Sequence, residues 1–199
     1  MRVISGSARG RALKAVPGMG TRPTTDKVKE AIFSMIGPYF DGGAALDLFA
    51  GTGGLGIEAL SRGMDKAVFI DKDAKSLETV RHNLQVTGLG EQAEVYKNDA
   101  ERALKALAKR EVLFDLIFLD PPYRLKHGDA LMMQMDELKL LSPQATVVLE
   151  YESDYVYPAR FGPFLQTRKA EYGETTVSIY AYDPEAFPVQ DDEQGGQAT

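Results

Sequence analysis

Apolar residues recur along this chain in two alternating rhythms. From residue 44 onward, short runs that are apolar on both faces alternate with longer stretches whose apolar positions lie three and four apart. The runs Ala44–Phe49, Ala67–Ile70, Ala93–Lys97, Phe114–Leu119 and Thr146–Tyr151 predict strands. Between them, a Gly-rich turn leads into a helix through about Arg62. Leu77, Val80 and Leu84 mark a second helix, Leu104 and Leu107 a third, and Leu131, Met135 and Leu138 a fourth. Phe114–Leu119 is apolar on both faces, as a central parallel strand covered from above and below requires. Phe164–Ala170 and Thr175–Tyr182, joined at Tyr172-Gly173, predict a terminal antiparallel hairpin. Ahead of this rhythm, residues 1–16 alternate weakly around Gly6-Ser7-Ala8-Arg9-Gly10, the pattern of a β-hairpin. Thr24-Thr25 then opens a helix whose Val28, Ile32, Met35 and Ile36 share one face, and Gly37-Pro38 ends it.

Alternating strands and helices predict an α/β fold, a mostly parallel seven-stranded sheet with helices on both faces. Residues 1–20 are expected to form a hairpin extension, 21–183 the main domain, and 184–199 a disordered acidic tail. In such folds a ligand sits outside the carboxyl ends of the strands, near the point where strand order reverses. Chemistry is therefore to be sought at strand ends.

Charge changes the picture of the partner. The net charge of −6 argues against nucleic acid, but its distribution does not. Residues 1–30 hold seven basic residues against Asp26 and Glu30, whereas residues 183–199 hold five acidic residues and no basic one. This asymmetry predicts a phosphate-facing patch at one end of the chain. The absence of cysteine excludes disulfides, thiolate metal sites and cysteine nucleophiles. His82 and His127, the only histidines, lack metal-ligand spacing, so no metal is expected. The N-terminus has no apolar signal region, and no apolar run approaches the ~20 residues needed to span a bilayer. A cytoplasmic monomer without a membrane partner is expected.

The first strand leads into Asp47-Leu48-Phe49-Ala50-Gly51-Thr52-Gly53-Gly54-Leu55-Gly56. Gly51, Gly53 and Gly56 carry the spacing of a dinucleotide-binding turn, and Asp71 follows 20 residues after Gly51. A carboxylate at Asp71 suits two ribose hydroxyls, which NAD and S-adenosylmethionine both possess. Asp47 separates the two cofactors: before the turn, it would repel a pyrophosphate and attract a sulfonium with a free ammonium group. Asn98-Asp99-Ala100 closes the third strand with an acceptor for an adenine amino group, and Asp120 closes the fourth. Four acids at successive strand ends favour the methyl donor.

Asp120-Pro121-Pro122-Tyr123 stands directly after Phe114–Leu119. A base amino group is a weak nucleophile because its lone pair is delocalised into the ring. Acceptors aimed at its N–H groups, the Asp120 carboxylate and the Pro121 carbonyl, favour a more tetrahedral nitrogen and hold it in line. Paired prolines stiffen the loop, and Tyr123 supplies a face on which an extruded base stacks. Arg124, Lys126 and His127 continue the loop toward phosphates. These residues point to an amino methyltransferase acting on adenine, cytosine or guanine. A dinucleotide-dependent oxidoreductase and a non-catalytic RNA-binding module are the competing classes.

The tetrapeptide resembles the signature of amino methyltransferases. The run Thr21–Phe33, with Leu46–Gly53 and Gly56-Ile57-Glu58-Ala59-Leu60-Ser61-Arg62-Gly63, is similar to the bacterial family named for N2-methylation of guanine 966 of 16S rRNA, over about residues 1–182. The resemblance implies a Rossmann-like class I S-adenosylmethionine-dependent methyltransferase whose partner is 16S rRNA or the small ribosomal subunit. Family members often carry Phe at the position of Tyr123. The resemblance implies a cofactor site of Arg22, Thr24, Asp47, Phe49, Ala50, Gly51, Thr52, Gly53, Asp71, Lys72, Asp99, Ala100 and Asp120. Asp120, Pro121, Pro122 and Tyr123 form the catalytic loop, and Arg9, Arg11, Arg22, Lys27 and Arg124 meet RNA.

Overall fold

The computed structural model describes residues 1–18, 25–122 and 126–186. Its helices are α1 (Asp26–Ile36), α2 (Gly54–Ser61), α3 (Ala74–Thr87), α4 (Ala100–Ala108) and α5 (Gly128–Glu137). Its strands are β1 (Ala44–Asp47), β2 (Lys66–Asp71), β3 (Ala93–Lys97), β4 (Phe114–Leu119), β5 (Leu141–Glu152), β6 (Arg160–Phe161), β7 (Phe164–Tyr172) and β8 (Thr175–Tyr182).

The strands form one sheet in the order β3-β2-β1-β4-β5-β8-β7-β6. β3 to β5 run parallel across five strands, and β8, β7 and β6 add antiparallel pairs. Among the described residues the sheet therefore has eight strands where the sequence predicts seven. The extra one, β6, is a two-residue pair against β7, too short to carry a period of its own. The winding reverses between β1 and β4, so the crevice outside their carboxyl ends is the expected ligand position.

Side chains of each strand alternate between two core layers. Leu46, Ile117, Leu119 and Leu149 enter the layer with α4 and α5, whereas Ala45, Phe118 and Val148 enter the layer with α1, α2 and α3. α2 is buried along its whole length because the N-terminal segment covers its outer side. The fully buried positions of α1 are Lys29, Ile32 and Phe33, with Val28, Met35 and Ile36 only half-buried. The predicted face is thus rotated about one position, because a lysine occupies the centre of the true one.

The N-terminal segment turns back on itself. The Val3 N–H donates to the Arg11 carbonyl at 2.9 Å, and the Leu13 N–H donates to that of Met1 at 2.8 Å. It lies along α2, with Met1 against Gly54 at the start of the helix. At the far end of α2, the Ser7 N–H donates to the Ser61 carbonyl at 2.8 Å and the Ala8 N–H to the Ser61 Oγ at 3.0 Å. Arg2 and Ala12 make a single isolated bridge, without extended strands.

Candidate active site

The turn after β1 is built from glycines with three different duties. Gly53 caps α2 in a left-handed conformation, φ 78°, which a side chain at that position disfavours. Gly56 lies so close to the sheet that a methyl group there would collide with the Phe69 ring and crowd Asp47. Gly51 faces open space, with no atom within 4 Å of where a side chain would begin. The turn is tied to its neighbours by the Ala50 N–H, which donates to the Ile70 carbonyl at 2.9 Å. Residue spacing predicts the turn, but only this packing separates the glycine that faces open space from the two that lie against the core and the helix start.

Asp47 and Asp71 hold this turn as well as facing it. The Gly56 N–H donates to Asp47 Oδ2 at 3.1 Å, and the Gly51 N–H donates to Asp71 Oδ2 at 2.9 Å. Asp71 Oδ1 accepts from the Asp73 N–H at 2.9 Å. Each carboxylate oxygen keeps a further lone pair for another donor. Burial pushes the Asp47 carboxyl up to about 8; the nearby charge of Asp71 adds to this and the Gly56 N–H opposes it. The carboxyl of Asp120 is raised well above its ordinary range, first by desolvation, then by the charges of Glu150 and Asp47.

A folded value above the ordinary one means that ionisation opposes folding. The stability tied to Asp47 is complete below its unfolded pKa, near 4, and is lost as the pH rises through about 8. Asp47→Asn should therefore flatten the pH dependence of stability of the ligand-free protein. Between pH 6 and pH 8 the wild type should lose about 2–3 kcal/mol relative to the variant. Urea midpoints at the two pH values test this, and parallel profiles would contradict the buried, neutral Asp47.

Of the residues the sequence assigns to the site, Asp47, Gly51, Thr52, Gly53, Asp71 and Asp120 converge on the reversal point. Phe49 and Ala100 are half-buried and pack against the same core layer, and Ala50 is buried in the other. Lys72 is exposed beside the turn. Asp99 caps α4, accepting from the Arg102 N–H at 2.8 Å, at the β3 edge of the sheet. Pro121 is buried and Pro122 exposed. Arg22, Thr24, Tyr123 and Arg124 lie outside the described residues. So does most of the acidic tail, residues 187–199.

The basic N-terminal residues separate into two kinds. Arg9, Arg11, Lys14 and Lys27 are exposed, and Arg2 lies near Asp26 at 3.9 Å. Lys29 does not belong to a surface patch. Its Nζ is buried, 3.2 Å from Glu58 Oε1 and 2.5 Å from the Arg2 carbonyl. Burial lowers its pKa, with Glu58 opposing that shift. Glu58 also accepts from Arg62 Nε at 3.0 Å, the Ile4 N–H at 2.8 Å and the Ser5 N–H at 3.1 Å.

Two further residues position the site and escaped the reading of the sequence. Asn83 is fully buried in α3. Its amide donates to the carbonyls of Thr52 at 2.9 Å and Lys14 at 3.0 Å, and it accepts from the Lys14 N–H at 2.8 Å. It thereby clamps the N-terminal segment onto the glycine turn. Its one signal is a polar residue on the Val80–Leu84 face. The other is Glu150, next to Asp120, which strand register alone brings to the site.

The family described as Conserved hypothetical protein 95 matches residues 1–181. The chain belongs to this family. YlbH of Bacillus subtilis (strain 168) is 57% identical over 180 residues, covering 90% of this chain and 98% of the relative. Ribosomal RNA small subunit methyltransferase D of Haemophilus influenzae is 37% identical over 155 residues, covering 77% and 80%. The structure of yhhF from Escherichia coli superposes with a TM-score of 0.78 at 31% identity, covering 92% of this chain and 98% of that one. The architecture is that of class I S-adenosylmethionine-dependent methyltransferases, as the sequence predicts.

Proposed function

We propose that the chain is an S-adenosylmethionine-dependent methyltransferase that methylates N2 of a guanine in 16S rRNA of the small ribosomal subunit. The observation that carries this reading is the meeting of Asp47, the open face of Gly51 and Asp120-Pro121 at the point where the sheet reverses its winding. The names of the relatives support the rRNA substrate.

The residues fit the methyl donor. A buried carboxyl beside an open glycine suits a cation, whose charge favours its ionised form, whereas a pyrophosphate would find no positive partner there. Asp47 would meet the ammonium and sulfonium end, Asp71 the ribose hydroxyls through its remaining lone pairs, and Asp99 the adenine amino group. When bound, the cofactor would supply an electrophilic methyl group and retain the electron pair of its carbon–sulfur bond, so that the methyl group's new bond is to N2.

The rest is positioning by the protein. The Pro121 carbonyl and the Asp120 carboxylate accept from the amino group and hold its lone pair in line with the methyl carbon. As N2 gains the methyl group it gains positive charge, which Asp120 stabilises before taking the surplus proton and passing it to water. Positive charge on the cofactor favours the ionised form of Asp120 and offsets the burial that raises it.

Methyl transfer from labelled S-adenosylmethionine into small-subunit RNA, isolated subunits and duplex DNA, followed by nucleoside analysis, tests the reading. N2-methylguanosine from RNA or subunits is expected. Label confined to adenine, cytosine or DNA would overturn the substrate.

Arg9 and Arg11 are exposed on the turn at the far end of α2, Lys14 is held near the glycine turn through Asn83, and Lys27 is exposed on α1. Phosphate contacts from this strip should extend along the whole N-terminal segment. Replacing Arg9 and Arg11 together with Ala should weaken RNA binding and reduce the slope of log affinity against log salt by roughly 1–2. An unchanged slope would place the RNA on another face.

A further inference from the structure

Guanine differs from the other amino-bearing bases at the atom beside its amino group. Its N1 carries hydrogen, so N1–H and the amino group offer two adjacent donors. Adenine and cytosine offer an amino group beside a bare ring nitrogen, which is an acceptor. A site that separates them at this edge needs a second acceptor next to the one that meets the amino group.

β4 and β5 bring two acceptors together. They are parallel neighbours in register, with Phe118 opposite Val148 and Leu119 opposite Leu149. The next residues are Asp120 and Glu150, side by side at the strand spacing of about 4.8 Å. Residues directly opposite share a face, so both continue the layer of Phe118 and Val148. Asp47, opposite Phe118 in β1, shares that layer. Glu150 is half-buried, as Asp120 is. The two carboxyls interact electrostatically, the charge of Glu150 helping to raise Asp120.

We propose that Glu150 determines the choice of base: its carboxylate accepts the N1–H of guanine while Asp120 and the Pro121 carbonyl accept from the amino group. The inference rests on the guanine reading above. Guanine supplies a donor to each of two neighbouring acids, which offsets their mutual repulsion. Adenine or cytosine would instead turn a lone pair toward the Glu150 carboxylate, a repulsive contact in place of a hydrogen bond. Discrimination then comes from the mispaired edge as much as from the matched one.

RNA carrying 2-aminopurine at the target position provides the test. This base keeps the reacting amino group but has a bare N1. The wild type should methylate guanine at least about 10-fold faster than 2-aminopurine in kcat/KM. In Glu150→Gln the amide can turn its N–H toward N1. Guanine methylation should fall about 10–100-fold, 2-aminopurine methylation should change little, and the preference should approach unity. Cofactor affinity and Tm, measured alongside, should match the wild type.

A merely structural role for Glu150 would slow both bases in parallel, and that result would overturn the inference. An unmoved preference in a wild type that does make N2-methylguanosine would overturn this inference alone. Label in adenine or cytosine with the wild type would overturn it together with the proposed function.

Discussion

Asp120→Ala should lower kcat by about 100–1,000-fold while S-adenosylhomocysteine binds within a few-fold of the wild type. Asp120 lies just past the carboxyl end of β4, beside Pro121, and in the proposed reaction it meets the charge that develops on the attacking nitrogen. Removing the carboxylate removes an interaction that strengthens only as the nitrogen becomes positive, so the loss falls on kcat rather than on binding.

The pH profile gives a second readout. Burial, Glu150 and Asp47 all raise the Asp120 carboxyl, and its ionised form is the acceptor. Wild-type kcat should therefore rise with pH as Asp120 ionises in the cofactor-bound complex, and the rise should vanish in the variant. A kcat within about threefold of the wild type would show that water and the Pro121 carbonyl suffice.

Glu58→Ala should destabilise the fold by about 3–5 kcal/mol, the cost of leaving buried charge without its partner. Glu58 is fully buried and receives four donors: Lys29 Nζ, Arg62 Nε and the N–H groups of Ile4 and Ser5. Lys29 belongs to α1, Arg62 follows α2, and Ile4 and Ser5 belong to the N-terminal segment. One carboxylate thus joins three parts of the chain. Arg62 also donates to the Pro38 carbonyl at 3.2 Å and lies over the Phe33 ring at 4.8 Å, so it cannot swing to solvent without unpacking α1.

The loss should be larger at lower pH. Burial lowers the Lys29 pKa, so its contribution to stability is complete above the ordinary lysine range and is lost as the pH falls through the folded value. Without Glu58 that folded value drops further, and the lysine charge opposes folding over a wider range. Urea unfolding at pH 7 and pH 9 measures both effects. A change below about 1 kcal/mol would mean that the cations find water when Glu58 is absent.

The order of elements was legible because it rests on local physics. The two-residue period and the three-to-four spacing report which side of an element meets the core, and both are read within one segment. β8 matches its predicted span, and β3 and β4 do so as well. β5 begins five residues before its predicted start, because Leu141–Ala145 includes Pro143 and Gln144, residues that conceal a strand. The glycine spacing, the acids at strand ends and the Asp-Pro-Pro-Tyr run are equally local, and they mark the proposed site.

Three assignments needed the tertiary structure. Lys29 reads as one more basic residue of the N-terminal run, yet Glu58, 29 positions later, takes it into the core. A single side chain carries no sign of whether its partner will be water or a buried carboxylate, since that depends on how α1 crosses α2. Asn83 looks like a polar residue on an amphipathic helix, and only the approach of Lys14 and Thr52 makes it a clamp.

Glu150 is the sharpest case. It lies 30 residues from Asp120, and the register between β4 and β5 alone makes them neighbours. Sliding one strand by a single residue would turn Glu150 to the opposite face and away from Asp120. The sequence by itself determined the elements, the class of fold and the motif that marks the chemistry, because these depend on neighbours within a few bonds. Which charges meet, and which acceptors stand side by side at the site, was decided by packing and register between segments far apart in the chain.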